Sequence, residues 1–139
     1  FDPRPEAVNA IGPGKRVLAN YCPAIATGAD DVIALGGAGG RKIIPAMMNL
    51  LCFMIDHGMS LEEAMHHPRI DVSGPDKVVA DASLPQALLE ELASRHEVTL
   101  ADRVPYPINF TTASAVRRRG ALNEAGAEPV QPTAEALAV

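Results

Sequence analysis

Residues 32–55 read VIALGGAGGRKIIPAMMNLLCFMI, and this stretch predicts a strand, a glycine turn and a helix in direct succession. The opening VIAL has no polar alternation, which is typical of a strand buried on both faces. The glycines of residues 36–40 predict the turn, since glycine adopts backbone conformations that other residues avoid. Apolar residues then recur at steps of three and four over residues 43–55, the period of an amphipathic helix. A strand–turn–helix unit is therefore the centre of the predicted fold.

The flanking sequence adds further elements around this unit. Two apolar runs, residues 21–27 and 31–35, are separated by Gly28-Ala29-Asp30, so a β-hairpin is expected to lead into the turn. Capping patterns that begin at Ser60 and Ser83 predict two more helices. Further strands are predicted over residues 77–80, 98–100 and 108–116. The resulting order of strand, strand, helix, helix, strand, helix, strand, strand indicates an α+β fold with segregated elements.

Composition and charge limit the classes of partner. The chain has 139 residues, of which 47% are apolar, and this matches one ordinary domain. Its formal net charge of -5 makes nucleic acid an unexpected partner. The basic run Arg117-Arg118-Arg119 is interpreted as a solvated turn. No apolar run reaches the length of a membrane span, so no membrane partner is expected. Cys22 and Cys52 cannot form a disulfide framework and are interpreted as buried thiols.

The glycine turn is the feature that predicts chemistry. A helix that follows such a turn presents free N–H groups, which can bind a phosphate or the oxyanion of an acyl-transfer intermediate. The nucleotide-binding lysine pattern is excluded, because Arg41-Lys42-Ile43 follows the last glycine. A dinucleotide site is excluded as well, since no parallel βαβ context surrounds the turn. A purely structural tight turn stays open at this point.

Several motifs occur in the order in which they occur in one enzyme family. They are FDPRP (residues 1–5), NAIGPGKR (9–16), NYCP (20–23), GGAGG (36–40), DHGM (56–59) and HPRI (67–70). On these motifs, residues 1 to about 120 resemble the C-terminal part of the small subunit of gamma-glutamyltranspeptidases. The resemblance implies an α+β fold that is part of the four-layer αββα sandwich of N-terminal-nucleophile hydrolases. It also implies amide hydrolysis or acyl transfer by a threonine that autoprocessing of a precursor exposes.

The resemblance assigns site residues in this chain. Gly39 and Gly40 match the two adjacent glycines whose N–H groups form the oxyanion hole of the family. Ala19 and Asn20 match a Ser-Ser pair that holds the α-carboxylate of the donor substrate. Asn20 keeps a hydrogen-bonding side chain, whereas Ala19 has none. This departure favours the acylase or amidohydrolase branch, and hydrolysis by water over transfer to an acceptor.

The remainder of the active site is expected on other segments of the same precursor. The chain begins with Phe1 rather than Met, and the nucleophilic threonine is expected upstream of it. The expected partners are therefore the large subunit, the N-terminal part of the small subunit, and a small amide or gamma-glutamyl substrate. Four threonines of the chain itself are interpreted as structural: Thr27, Thr99, Thr111 and Thr112. No cofactor is expected, and the cytoplasm and the periplasm of a bacterium both stay open as compartments.

Other polar residues are interpreted as structural or are left open. His66 and His67 point about 100° apart on a helix, which disfavours a metal site. Arg69 is expected to anchor a loop by ion pairing, while Lys15 and Arg16 either steer an anionic substrate or fix the N-terminal segment. Residues 1–122 are predicted to form the family portion and residues 123–139 a loosely ordered tail. Two alternative functions remain, a non-catalytic structural subunit and a phosphate-binding domain.

Overall fold

The computed structural model describes residues 2–139, which form two β-sheets and three α-helices. In chain order the elements are β1 (Ala24–Thr27), β2 (Asp31–Ala38), a 3₁₀ turn (Gly40–Lys42), α1 (Ile43–Ile55), α2 (Leu61–His66), β3 (Ile70–Asp71), β4 (Lys77–Asp81), α3 (Gln86–Arg95), β5 (Glu97–Ala101), β6 (Thr112–Arg119) and β7 (Leu122–Ala127). The α+β class predicted from the order of elements is confirmed.

The larger sheet has the order β1-β2-β6-β7, and every neighbouring pair is antiparallel. The predicted hairpin is confirmed, since β1 pairs with β2 from Ala24 opposite Leu35 to Thr27 opposite Val32. The glycine turn is shorter than predicted, because residues 36–38 still pair with β6 and only Gly39 and Gly40 leave the sheet. The strand thus carries the chain up to the turn without a break.

Helices α1 and α2 cover one face of this sheet. From β2, Ile33 and Leu35 point into that core, where they meet the apolar side of the helices. The core residues of the helices are Ile43, Ala46, Met47, Leu50, Met54, Leu61, Ala64 and Met65. The prediction that β2 is buried on both faces is wrong, since Val32 is 42% exposed on the face that no helix covers. On that outer face, residues 135–137 of the C-terminal segment line a shallow pocket with β1 and β2.

The C-terminal third of the chain differs from the sequence expectation in two places. Strand β6 begins at residue 112 rather than 108 and continues through the arginine run that was interpreted as a turn. Arg117 is buried in it and pairs with Asp31, because successive residues of a strand point to opposite faces. The tail prediction is wrong for residues 123–128, since β7 pairs with β6 and Glu128 is buried.

The smaller sheet has the order β3-β4-β5. Strands β4 and β5 are parallel and are joined through α3, which makes one βαβ unit inside a fold that was expected to keep its elements segregated. The predicted cap of α3 is wrong, because Ser83 binds Asp81 instead and Pro85 precedes the first helical turn. The capping box of α2 at Ser60 and Glu63 is confirmed.

Candidate functional site

The connection between β2 and α1 spans residues 39–42 and begins with the glycine turn, Gly39 and Gly40. Gly40 has a φ of 63°, in the left-handed region that glycine adopts without strain. A side chain at Gly40 would meet no atom within 4 Å, so the outer side of the turn is open. The backbone there is therefore accessible to a ligand, which is what a main-chain binding site requires.

The N–H groups of the turn are free to bind a ligand. Within residues 2–139, neither Gly39 nor Gly40 donates a backbone hydrogen bond, whereas the Gly39 carbonyl accepts one from the N–H of Lys42 at 3.3 Å. Helix α1 follows directly after the 3₁₀ turn, and its dipole places partial positive charge at this end. The Lys42 side chain is held by the Ile108 carbonyl at 2.9 Å. The turn thus has two adjacent N–H groups without a backbone acceptor among the described residues.

Thr111 closes the inner side of the turn. Its side chain is completely buried. A Cβ at Gly37 would lie 2.5 Å from its Cγ2, and one at Gly39 would lie 2.9 Å from its Oγ1. Only glycine fits against this side chain at both positions. The Oγ1 of Thr111 itself has no hydrogen-bond partner in the described part of the chain.

A buried ion-pair cluster lies behind Thr111. Glu128 accepts hydrogen bonds from Arg69 at 2.6 Å and from Arg103 at 2.7 Å. Arg69 also reaches the Thr111 carbonyl at 3.5 Å, and Glu128 reaches the N–H of Ala113 at 3.4 Å. Burial of its guanidinium lowers the pKa of Arg69 below its ordinary value, and the charge of Arg103 adds to this effect. The expectation that Arg69 anchors its loop by ion pairing is confirmed.

Ala19 and Asn20 lie exposed in the irregular segment before β1. Because β1 runs antiparallel to β2, this segment joins the sheet at the end where β2 leads into the glycine turn. The segment is fixed further upstream, where Asn9 accepts a hydrogen bond from the N–H of Leu18 at 2.8 Å. Lys15 and Arg16 are exposed in the same segment. The segment that carries Ala19 and Asn20 thus enters the sheet at the end from which the glycine turn leaves it.

The remaining candidates have local partners. His66 Nδ1 lies 2.9 Å from the Glu62 carbonyl, and His67 stacks against Phe53 with ring centroids 4.5 Å apart. Both cysteines are unpaired and half-buried, and a hydrogen bond to the Asp56 carboxylate raises the pKa of the Cys52 thiol. Residues 2–139 contain no metal-binding group of three or more His, Cys, Asp or Glu side chains. None of the helices in this range has both the length and the apolar surface that crossing a bilayer requires.

Thr111 and Glu128 are buried residues behind the turn that the sequence did not assign to the site. The sequence interpretation gives Thr111 a structural role and assigns Glu128 to the loose tail. No motif marks either residue. The contact of Thr111 with Gly39 depends on how β6 pairs with β2, and the contact of Glu128 with Ala113 depends on how β7 pairs with β6. Only the structure brings them together.

Comparison with known proteins gives consistent similarities. A family model described as gamma-glutamyltranspeptidase matches residues 1–138. The acylase ACY 1 proenzyme of Pseudomonas sp. strain SE83 is 35% identical over 111 residues, which cover 78% of this chain and 20% of that protein. The glutathione hydrolase proenzyme of Pseudomonas sp. strain A14 is 45% identical over 62 residues, 44% of this chain and 11% of that protein.

A solved structure agrees with these similarities. The gamma-glutamyltranspeptidase from Pseudomonas nitroreducens, complexed with L-DON, superposes with a TM-score of 0.73 at 28% identity, covering 96% of this chain and 69% of the matched chain. The present fold is therefore that of an N-terminal-nucleophile hydrolase. The chain spans about a fifth or less of the length of these two curated relatives.

Proposed function

The chain belongs to the gamma-glutamyltranspeptidase family, and on this premise we propose that it supplies the oxyanion hole of an amide hydrolase whose threonine nucleophile lies upstream of it. The observation that carries the proposal is the pair of unpaired N–H groups at Gly39 and Gly40, in front of α1. These residues also match the adjacent glycines to which the family resemblance assigns this role.

The reaction requires stabilisation of a negative charge. When the threonine hydroxyl attacks an amide carbonyl, the carbonyl oxygen becomes an oxyanion, and the free amine of the same threonine accepts the hydroxyl proton. Two fixed N–H donors and the positive end of a helix stabilise that oxygen more strongly than they stabilise the carbonyl of the bound substrate. When the oxyanion collapses, the C–N bond breaks and the amine leaves with the proton that the threonine amine had accepted, so the acyl group remains as an ester on the threonine. Water then attacks this ester, which releases the carboxylic acid and restores the threonine hydroxyl.

The substrate proposed for this site is a small amide or gamma-glutamyl compound. Asn20 is the candidate donor to its carboxylate, and Ala19 leaves the second donor of the family pattern missing. Relatives of this chain include proteins named as an acylase and as a glutathione hydrolase, so both acyl groups are candidates. We place the chain closer to the hydrolytic branch because of Ala19. The proposed partner is the rest of the precursor, in keeping with the proenzyme names of these relatives.

Substitutions at Gly40 test the oxyanion role in the complete precursor. Gly40→Pro removes the N–H and should lower kcat by at least about 10²–10³-fold, the usual effect of losing one oxyanion donor. Proline also opposes the φ of 63°. Gly40→Ala is the matched control, because it opposes the same φ, keeps the donor and places its Cβ in open space. It should lose much less activity. Full turnover in a folded Gly40→Pro variant would contradict the proposal.

Mass spectrometry tests the position of the nucleophile. The purified complete protein should contain a fragment that begins with threonine, and replacing that threonine by alanine should leave the precursor uncleaved and inactive. An uncleaved wild-type protein that binds inorganic phosphate tightly and hydrolyses no amide would instead support the phosphate-binding alternative. An uncleaved protein that binds no phosphate would support the non-catalytic structural subunit.

A further inference from the structure

We propose that Thr111, Arg69 and Glu128 are positioning residues that hold the Gly39–Gly40 turn in the conformation that binds the oxyanion. This inference rests on the proposed function of the turn. It adds residues that do not touch the substrate and act through the backbone. Three observations carry it. The β ladder ends before Gly39, Thr111 packs against the glycines, and the buried ion pair hydrogen-bonds to the backbone of Thr111 and Ala113.

The turn begins where the hydrogen-bonded ladder of the sheet ends. The ladder between β2 and β6 ends with Ala38 opposite Thr112, so Gly39 has no ladder partner. Gly39 and Gly40 are also the residues with the widest backbone freedom. Two donors aimed at one oxygen must be held to within a fraction of an ångström for full effect. Another part of the molecule must therefore restrict the turn.

Thr111 provides that restriction on the inner side. Thr111 immediately precedes β6, one residue beyond the last ladder pair of Ala38 and Thr112. Its side chain is completely buried. The Cγ2 and Oγ1 atoms approach Gly37 and Gly39 so closely that a Cβ at either position would collide with them. The turn therefore cannot move inward while Thr111 stays in place.

The buried ion pair holds the backbone on both sides of Thr112. Arg69 donates to the Thr111 carbonyl at 3.5 Å, and Glu128 accepts from the Ala113 N–H at 3.4 Å. Both side chains are at most 3% exposed, and their own contact is 2.6 Å. Arg103 holds the other Glu128 oxygen and also donates to the Met65 carbonyl at 2.5 Å. The pair thus joins β6 and the end of β7 to the loop after α2.

The unpaired hydroxyl of Thr111 indicates what the side chain contributes. Buried hydroxyls are normally hydrogen-bonded, and this one has no partner within residues 2–139. The contact that the turn makes with this side chain among the described residues is therefore one of shape. Valine has the same branched shape without the hydroxyl. This gives the experiment a matched control.

Steady-state kinetics of the complete processed enzyme test Thr111, with turnover normalised to the cleaved fraction. Thr111→Ala should lower kcat by about tenfold to 10²-fold, the range expected from a small misplacement of reacting groups, while KM stays within about twofold. Thr111→Val should keep the kcat and the melting temperature of the wild type. Equal kcat values for the alanine and valine variants would overturn the inference.

A charge-balanced variant tests the ion pair. Glu128→Gln alone would leave two guanidinium groups without their carboxylate, so Arg69→Met is combined with Glu128→Leu to keep the net charge of the cluster. Arg103, which is 11% exposed, also loses Glu128 in this variant but keeps its hydrogen bonds to the Met65 and His66 carbonyls. The folded double variant should lose kcat as Thr111→Ala does, with KM retained, and wild-type kcat in it would contradict the role of the pair. If the double variant does not fold, the two Thr111 variants decide the question. Full turnover in a folded Gly40→Pro variant would contradict the proposed function. An inactive Gly40→Pro variant beside a fully active Thr111→Ala variant would contradict only this inference.

Discussion

Arg117 and Arg118 are neighbours in the sequence and yet have opposite environments. Arg117 is buried on the helix side of β6, where it binds Asp31 and donates to the Met59 carbonyl at 3.0 Å. Arg118 points to the other face and is exposed, with one hydrogen bond to the Gly120 carbonyl. Two identical residues therefore contribute differently to stability, because the alternation of the strand decides which of them meets the loop after α1.

Substituting each of these arginines measures that difference. Arg117→Met should lower the free energy of unfolding of the complete protein by about 1.5–3 kcal/mol, the usual value of a hydrogen bond to a charged group. Arg118→Met should change it by less than about 0.5 kcal/mol, as expected for a surface position. Chemical denaturation of the complete protein gives both values. Equal losses of unfolding free energy in the two variants would contradict the conclusion that the contacts of Arg117 with Asp31 and the Met59 carbonyl stabilise the fold.

At the scale of single residues, the sequence indicated the glycines as candidates but not the residues that pack behind them. Gly39 and Gly40 were identifiable because the family resemblance assigns them and because a strand and a helix with clear patterns flank them. Thr111 and Glu128 could not be identified, since the roles proposed for them depend on strand pairing between distant segments. Local patterns carry information about the local backbone. They carry none about which side chain lies behind it.

At the scale of elements, helix capping also shows that a local sequence pattern does not reveal which side chains compete for a residue. Ser60 and Glu63 form a complete capping box, with the N–H of Ser60 donating to Glu63 at 2.8 Å and the N–H of Glu63 donating to the Ser60 hydroxyl at 3.2 Å. The similar pattern at Ser83 forms no cap, because Asp81 at the end of β4 binds that serine first. A capping pattern thus predicts a helix start only where no neighbouring carboxylate competes for the serine.

The capping box of α2 should make this helix sensitive to acid. Hydrogen bonds from the Ser60 N–H and hydroxyl lower the pKa of Glu63, so the cap stabilises α2 above the ordinary glutamate pKa and is lost as the pH falls through the lowered one. Glu63→Gln keeps a capping side chain without the charge. Hydrogen exchange of the α2 amides should therefore be slower in the wild type than in Glu63→Gln at neutral pH.

The comparison at acidic pH checks the cause. Below the lowered pKa, the glutamate is protonated and resembles glutamine, so the exchange rates of the two proteins should converge when they are compared at the same pH. A difference that persists unchanged into acid would show that the charge of Glu63 is not responsible. The amides of α3, which lacks a capping box, serve as the internal reference and should not respond to the substitution.

At the scale of the whole molecule, the larger sheet is covered by helices on one face only. On the other face, Ile25 is 73% exposed and Val116 is 53% exposed, even with the C-terminal segment lying against part of this surface. Both β1 and β7 also have one edge without a partner strand among residues 2–139. Such a face and such edges associate readily with other chains. This surface supports the proposal that the chain assembles with further polypeptide of the same precursor.

Expression of residues 1–139 with and without the rest of the precursor tests this interpretation. Alone, the chain should aggregate or bind hydrophobic dyes, because water is a poor solvent for the uncovered sheet face. Replacing Ile25 and Val116 together by lysine should make the isolated chain more soluble and should prevent its assembly with the remaining polypeptide. Met48→Lys, on the exposed side of α1, is the matched control and should permit assembly. The contrary result would be a wild-type chain that is monodisperse and melts cooperatively as a monomer. The four strands and their helices would then be stable with the uncovered face in water, and that face would need no partner.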